Sequence, residues 1–385
     1  MLVLIALTAP ILTSVYHYFS PTFQPLLPLF RKSNHTAIQF PTRELSGGRV
    51  TLLLVYHIIR SLARRIGLGP RLSIIGGDTQ DGAVYKIKDD ISLSMPFQII
   101  SSDIENYLQC LSSSSSSPSI TKQDILSSGK HLQLLLSALT EPSMLLLLSK
   151  VNCPIDPIGS VNVRNKFTLI DLPLCQRSLQ NTLDSESNGG PGLIARSKLD
   201  QRVKKVKRGW EFTIIVELRL DQTGTETGTG SAIYKQEFTM LQFHKHPQQP
   251  SIPPPNPTTS IDVESIGMID IGKEEPWNWA RLSKDYNPIH TYSTAARLLG
   301  FKSKIAHGNH IVSKAIQQLS DQKIHMDKGM EGWIKVEFKR PIIVPSTLEI
   351  KMYPQGTEKK EPFVDICMNG KVAITINFGN EWQSS

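Results

Sequence analysis

The sequence predicts an α+β chain in two halves, each an antiparallel sheet wrapped around a central helix. Three observations carry this. Apolar residues recur at every second position in several short segments, as half-buried strands require. One helical stretch stands in each half, leucine-rich at residues 132–150 and amphipathic at 310–321. Between the halves lies PQQPSIPPPNP, residues 247–257, which cannot hold regular hydrogen-bonded structure because proline lacks the donor.

The chain's 385 residues exceed the usual size of one domain, so two domains plus appendages are expected. The boundaries follow composition: an apolar N-terminal segment 1–48, a first domain 49–246, the linker 247–257 and a second domain 258–380. A hydrophobic content of 39% with 20% charged residues is ordinary for a folded protein and argues against wholesale disorder. The net charge of +8 favours an anionic partner without choosing among cofactor phosphates, an acidic carrier, a membrane surface and nucleic acid. The four cysteines, Cys110, Cys153, Cys175 and Cys367, are widely spaced and form no C-x-x-C pair, which points to buried thiols or a reducing compartment.

From Met1 to Phe30 there is no Asp, Glu, Lys or Arg. This run is nearly long enough to span a bilayer, but Pro10, Pro21, Pro25 and Pro28 interrupt it and no basic stretch precedes it. Membrane anchoring and organelle targeting through residues 1–30 both remain open, and the segment through about Asn34 is expected to be dispensable for folding. Residues 50–59 run into Arg60, Arg64 and Arg65 and read as a basic amphipathic helix, packed on the body or lying on a membrane.

In the first domain, residues 112–118 (SSSSSSP) read as a solvated loop. The leucine-rich helix is expected to be interrupted near Pro142. Residues 160–169, 210–220 and 231–243 are strand-like, with Ile214, Val216, Leu218 and Leu220 alternating in the second, and 223–230 (TGTETGTG) is a loop. Lys204, Lys205, Lys207 and Arg208 read by default as a solvated loop, and otherwise as a dock for phosphates or an acidic carrier protein. Without interleaved aromatics they give no case for nucleic acid.

The second domain alternates more cleanly, at Ile334, Val336 and Phe338, at Leu348, Ile350 and Met352, and at Val364 and Ile366. Asn369-Gly370 between two alternating runs is a strong hairpin signal, because both turn positions need positive φ. The chemistry is expected just before its central helix, in SKDYNPIH, residues 283–290. Pro288 makes a continuous helix there unlikely, so a turn can bring Asp285 and His290 to one point. A helix starting near Ser293 or Thr294 and ending at Gly300 should follow. A carboxylate and an imidazole around one water suit addition of water to a double bond, or its removal. Taken alone, such a pair is weak evidence, since most such pairs are surface ion pairs or helix caps.

Residues 280–314, ARLSKDYNPIHTYSTAARLLGFKSKIAHGNHIVSK, resemble the signature of the MaoC-like dehydratases, which include (R)-specific enoyl-CoA hydratases. The resemblance rests on Ser283, Asp285, Asn287, Pro288, Ile289 and His290, on His307-Gly308, and on FKRPIIVPSTL at 338–348; IIRSLARRIGLGP and PIGSVNVRNKF extend it more faintly into the first half. It implies a double hotdog fold whose first half is catalytically silent and helps enclose the acyl chain. It also implies that Asp285 and His290 hold and activate the water, that Asn287 orients them, and that the Gly308 N–H binds the thioester carbonyl. His307 is read as structural. Two positions depart from the family pattern: Lys284 replaces a glycine, and Asn309 stands where methionine is common. A lysine beside the carboxylate could weaken it as a base or simply face solvent.

The expected activity is a hydro-lyase interconverting (R)-3-hydroxyacyl and trans-2-enoyl thioesters in fatty acid metabolism. The substrate would ride on coenzyme A or acyl carrier protein, with no metal and no further cofactor, in a monomer or a homodimer. The alternatives are a non-catalytic acyl-thioester-binding hotdog protein disabled at Lys284, and a thioesterase. The last lacks an acidic residue on the central helix, where His310, Ser313, Lys314 and Gln317 stand.

Overall fold

A computed structural model describes residues 21–68, 74–77, 84–112, 120–184, 192–221, 230–243, 264–321, 332–353 and 363–379. Most of the serine tract, most of the TGTETGTG loop and the whole proline-rich linker lie outside them.

A helical turn at Gln24–Phe30 and strand β1 (His35–Ala37) lead to helix α1 (Gly47–Arg65), where Ser46 Oγ accepts from Arg49 N at 3.3 Å as an N-cap. Strands β2 (Ile74–Gly77), β3 (Val84–Ile87) and β4 (Ser92–Phe97) precede helices α2 (Ser101–Leu111), α3 (Lys122–Ser127) and α4 (Gly129–Ser149). Then come β5 (Ser160–Leu169), α5 (Leu172–Asp184), β6 (Leu193–Val206), β7 (Gly209–Leu220) and β8 (Ala232–Phe243). The second half holds β9 (Glu264–Ile271), α6 (Glu275–Ser283), α7 (Pro288–Thr291), α8 (Ser293–Leu298), α9 (Gly308–Asp321), β10 (Trp333–Phe338), β11 (Ser346–Tyr353), β12 (Phe363–Met368) and β13 (Lys371–Gly379).

The strands form one sheet in the order β1-β4-β6-β7-β8-β5-β10-β13-β12-β11-β9, with β2 and β3 attached at β6. Pairing is antiparallel except between β1 and β4. The halves join where β5 pairs with β10, Thr168 opposite Trp333 and Arg164 opposite Glu337. Each half wraps one helix, α4 in the first and α9 in the second, and the two helices pack on each other. This is the double hotdog arrangement. Residues on α4 are buried almost all round, and α9 buries Ile311, Val312, Ala315, Ile316 and Leu319. Asn369 and Gly370 take φ of 51° and 69°, the turn their dipeptide demands between β12 and β13. All four cysteines are buried free thiols.

Four expectations change. Helix α4 runs unbroken through Pro142, held on both faces by packing. Lys204 and Lys205 lie on a strand, β6, rather than a loop, because Leu193, Ala195, Ser197 and Leu199 face the core on alternate positions while the lysines face water. Helix α8 starts after Tyr292, with no side-chain cap, instead of being capped by Ser293 or Thr294. Residues 24–34, expected to be dispensable, pack into the body; residues 1–20 lie outside the described residues. Leu26 and Leu29 are fully buried, Leu29 O accepts from Val151 N, and Asn152 Nδ2 donates to Ser33 O. Buried Lys150, its pKa lowered by burial to about 8, donates to Thr36 Oγ1 at 2.7 Å, Ser92 O at 3.0 Å and Asn34 O at 3.3 Å.

A chain starting at Gly47 should therefore fold poorly, since losing the two leucines alone removes about 3–6 kcal/mol of burial, against a typical total of about 5–15 kcal/mol. Equal melting temperatures for the truncated and full chains would contradict this packing.

Buried histidines give stability a pH dependence. Burial lowers His57 to about 3 and His131 and His310 to about 4, so the unfolded chain takes up protons that the folded one refuses. Their stabilisation is complete above about pH 6.5 and fades as pH falls below it, by roughly 2 kcal/mol apiece at pH 5. Glu141 and Asp103, whose carboxyls are raised, work in the opposite sense, but among the described residues His35, His290 and His307 are also lowered and add to the three. The urea midpoint should be lower at pH 5 than at pH 7.5; equal midpoints would refute the assignment.

Candidate active site

The turn between α6 and α7 is built by local hydrogen bonds. Lys284 ends α6 in the left-handed region, φ 61°, a conformation that favours glycine. Its Nζ folds back to donate to Arg281 O at 2.9 Å. Burial lowers this amine's pKa, the carboxylate of Asp103 raises it and Arg43 lowers it, which places the charge in a cluster with those two residues. Beyond the turn, Asp285 N donates to Ser283 Oγ, Asn287 N donates to Asp285 Oδ1 and Ile289 N donates to Asn287 Oδ1, at 3.2, 3.2 and 3.3 Å. Asn287 thus caps α7, which carries His290.

His290 Nδ1 donates to Ile305 O at 2.8 Å, leaving Nε2 as the lone-pair nitrogen, 3.9 Å from Asp285 Oδ2. That gap is long for a direct hydrogen bond and short enough for one water oxygen to reach both groups. Burial lowers the pKa of His290, with Asp285 and the Ile305 carbonyl opposing, so the imidazole is held toward its neutral form. His307 stacks on it, centroids 3.9 Å apart, and its Nε2 donates to Asp285 O at 3.1 Å. Burial, then the neighbouring His290, push His307 well below the usual histidine range, so it acts as a neutral strut fixing the Asp285 backbone.

Asp285, His290 and His307 also each offer a ligand atom within 4.8 Å of the others, a spacing a metal ion could use. His307 Nε2 is already committed to the Asp285 carbonyl, so a cation there would have to displace that bond.

Gly308 opens α9, whose first amides have no intrahelical acceptor. A Cβ there would lie 2.2 Å from the Phe338 ring, so the ring on β10, and not only a ligand, requires the glycine. Asn309 has a structural reason: it donates to Ser137 Oγ on α4 at 3.1 Å and accepts from Asn165 Nδ2 on β5 at 2.8 Å, tying the halves together.

These groups line a cavity of about 420 Å³, shared with Asn287, Met144, Leu145 and Leu148. Glu141 of α4 also lines it, which sequence reasoning missed. Burial, then the charge of Asp285, raise its carboxyl well above the usual carboxylate range, which holds it toward the protonated form. The signal was present, since Glu141 is the sole acidic residue between Asp124 and Asp156, inside a leucine-rich helix. Of the basic cluster, Arg208 reaches the cavity, together with Lys339 and Arg340, while Lys204, Lys205 and Lys207 are exposed and do not line it.

Residues 243–375 match the family model for the MaoC like domain. A 3-hydroxyacyl-thioester dehydratase X of Mycobacterium tuberculosis is 23% identical over 212 residues, covering 54% of this chain and 65% of that protein. A peroxisomal multifunctional enzyme type 2 of Drosophila melanogaster is 34% identical over 77 residues, 20% of this chain and 13% of its own length. Among solved structures, HtdX of Mycobacterium tuberculosis superposes with a TM-score of 0.50 at 16% identity, covering 74% of this chain and 98% of that one, a likeness of fold. This chain carries a MaoC-like dehydratase domain on a hotdog fold.

Proposed function

We propose that the cavity interconverts trans-2-enoyl and (R)-3-hydroxyacyl thioesters in fatty acid metabolism, with the acyl group carried on coenzyme A or an acyl carrier protein. The observation that carries this is the pair Asp285 Oδ2 and His290 Nε2, 3.9 Å apart beside the N-terminus of α9. In hydration, a water oxygen held by the pair bonds to C3 as one of its protons passes to Asp285. The C2=C3 electrons move toward the thioester oxygen, where the Gly308 N–H and the helix terminus stabilise the enolate. The pair then returns a proton to C2 through His290, so that H and OH are added in sum. Dehydration is the same path reversed. The basic residues Arg208, Lys339 and Arg340 at the cavity suit the phosphates of the carrier. The thioester carrier is the one cofactor this chemistry calls for.

The course of the Lys284 side chain favours an enzyme over a silent binder, because the amine folds onto Arg281 O instead of pairing with Asp285.

In a crotonyl-CoA hydration assay with chiral analysis of the product, Asp285→Asn and His290→Ala should each lower kcat/KM by at least about a hundredfold. The double variant should be little worse, since the pair acts as a unit. Lys284→Gly should leave the rate within about threefold and, because φ 61° suits glycine, raise stability by about 1 kcal/mol. Full activity in folded Asp285→Asn would remove the acid/base assignment.

Glu141→Gln, which keeps a hydrogen-bond donor, should retain kcat/KM within about tenfold, whereas Glu141→Leu should lose more than about tenfold. A Gln variant as impaired as Asp285→Asn would show that Glu141 works ionised.

A further inference from the structure

Helix α1 sits on the body with its polarity reversed. Val50 and Leu53 are buried near its start, but over its C-terminal half polar residues point inward: Arg60 donates to the carbonyls of Leu148, Lys150 and Cys153, and Arg64 donates to Cys153 O. Ser61 Oγ donates to Asp156, and His57 Nε2 pairs with Ser149 Oγ at 2.9 Å. The C-terminal end of α4 and the turn after it, with its cluster of carbonyls, thus take the helix's polar face. What faces out is Val55, Ile58, Ile59, Leu62 and Ile66, spaced by three, one, three and four residues as a single helical stripe and each 49–75% exposed. Leu68 continues it, and Phe23 and Leu27 are exposed on the preceding segment. Scattered exposed leucines need no explanation, but a continuous stripe of five branched aliphatics does.

The chain that enters this region bears on what covers it. The Phe23 ring stacks on Phe30, and Phe30 meets Tyr56 of α1 edge-on at 4.9 Å, so residues 21–30 touch the same helix at Phe30. They continue a stretch without one charged residue from Met1, ended by exposed Arg31 and Lys32. Residues 1–20 hold no Asp, Glu, Lys or Arg either, so the whole stretch ahead of the basic pair lacks them. A second copy would cover the stripe and leave that segment unmatched. A lipid bilayer accommodates both, with the basic pair placed for anionic headgroups.

We propose that the outer face of α1, together with Phe23 and Leu27 on the segment that leads to it, docks this protein on an anionic lipid bilayer. The apolar stripe enters the headgroup–acyl boundary while the inward arginines bind α1 to the catalytic body. This holds independently of the reaction proposed above.

Because the native thiols are buried, Leu62→Cys in the full chain can be labelled selectively with a nitroxide. Its accessibility to a water-soluble relaxing agent and to oxygen is then measured with and without vesicles of phosphatidylcholine and phosphatidylserine. The label should be open to the aqueous agent without lipid. With vesicles, it should become at least about fivefold less accessible to that agent and more accessible to oxygen, as in a bilayer interface. A label unaffected by vesicles overturns the proposal, and so does one already shielded without them, which would assign the face to the chain's own segment or to a second copy. As a second variant, Ile59→Glu/Leu62→Glu should co-float with the vesicles at least about tenfold less than the parent, with unchanged crotonyl-CoA hydration. Equal flotation overturns the proposal.

Discussion

Two buried helices, each wrapped by half of one sheet, meet side by side, and the site exists because of where they touch. The contact is polar and specific: Asn309 at the start of α9 holds Ser137 of α4 and is held by Asn165 of β5. Hydrogen bonds between buried amides and a hydroxyl are directional, so these two bonds tie the helices in one relative position in a way that apolar packing alone does not. That position sets Glu141 against the cavity that Asp285 and His290 share. The pairing of β5 with β10 holds the same junction from the sheet side.

Given that junction, the catalytic geometry is a chain of short-range consequences. A left-handed residue after α6 reverses the backbone, and successive hydrogen bonds from Ser283 to Ile289 tighten the turn. The Ile305 carbonyl then selects the tautomer of His290, and His307 braces the Asp285 backbone from behind. Burial holds both imidazoles toward their neutral forms, which leaves a lone pair on His290 Nε2. The first half of the molecule is more than an inert wall. It contributes Glu141, whose carboxyl burial holds toward the protonated form, and Arg208 at the cavity.

Sequence by itself determined the fold class, because strand alternation, the Asn369-Gly370 turn and two helical stretches are local properties that the backbone must obey. It also singled out the segment from Ser283 to His290, since a proline and an Asx cap within a few residues act locally. What depended on distant partners was decided by tertiary structure. Pro142 was read as a break, yet packing on every side of α4 outweighs a lost hydrogen bond. The segment through Asn34 reads as detachable, yet Leu29 O and Asn34 O accept from Val151 and Lys150, over a hundred positions away. The role of Glu141 could not be fixed by its neighbours in sequence, for its partner is Asp285, 144 residues on. The orientation of α1 followed the same rule: an amphipathic helix buries whichever face finds the better partner, and here a cluster of unpaired carbonyls took the arginines and left the aliphatic side exposed.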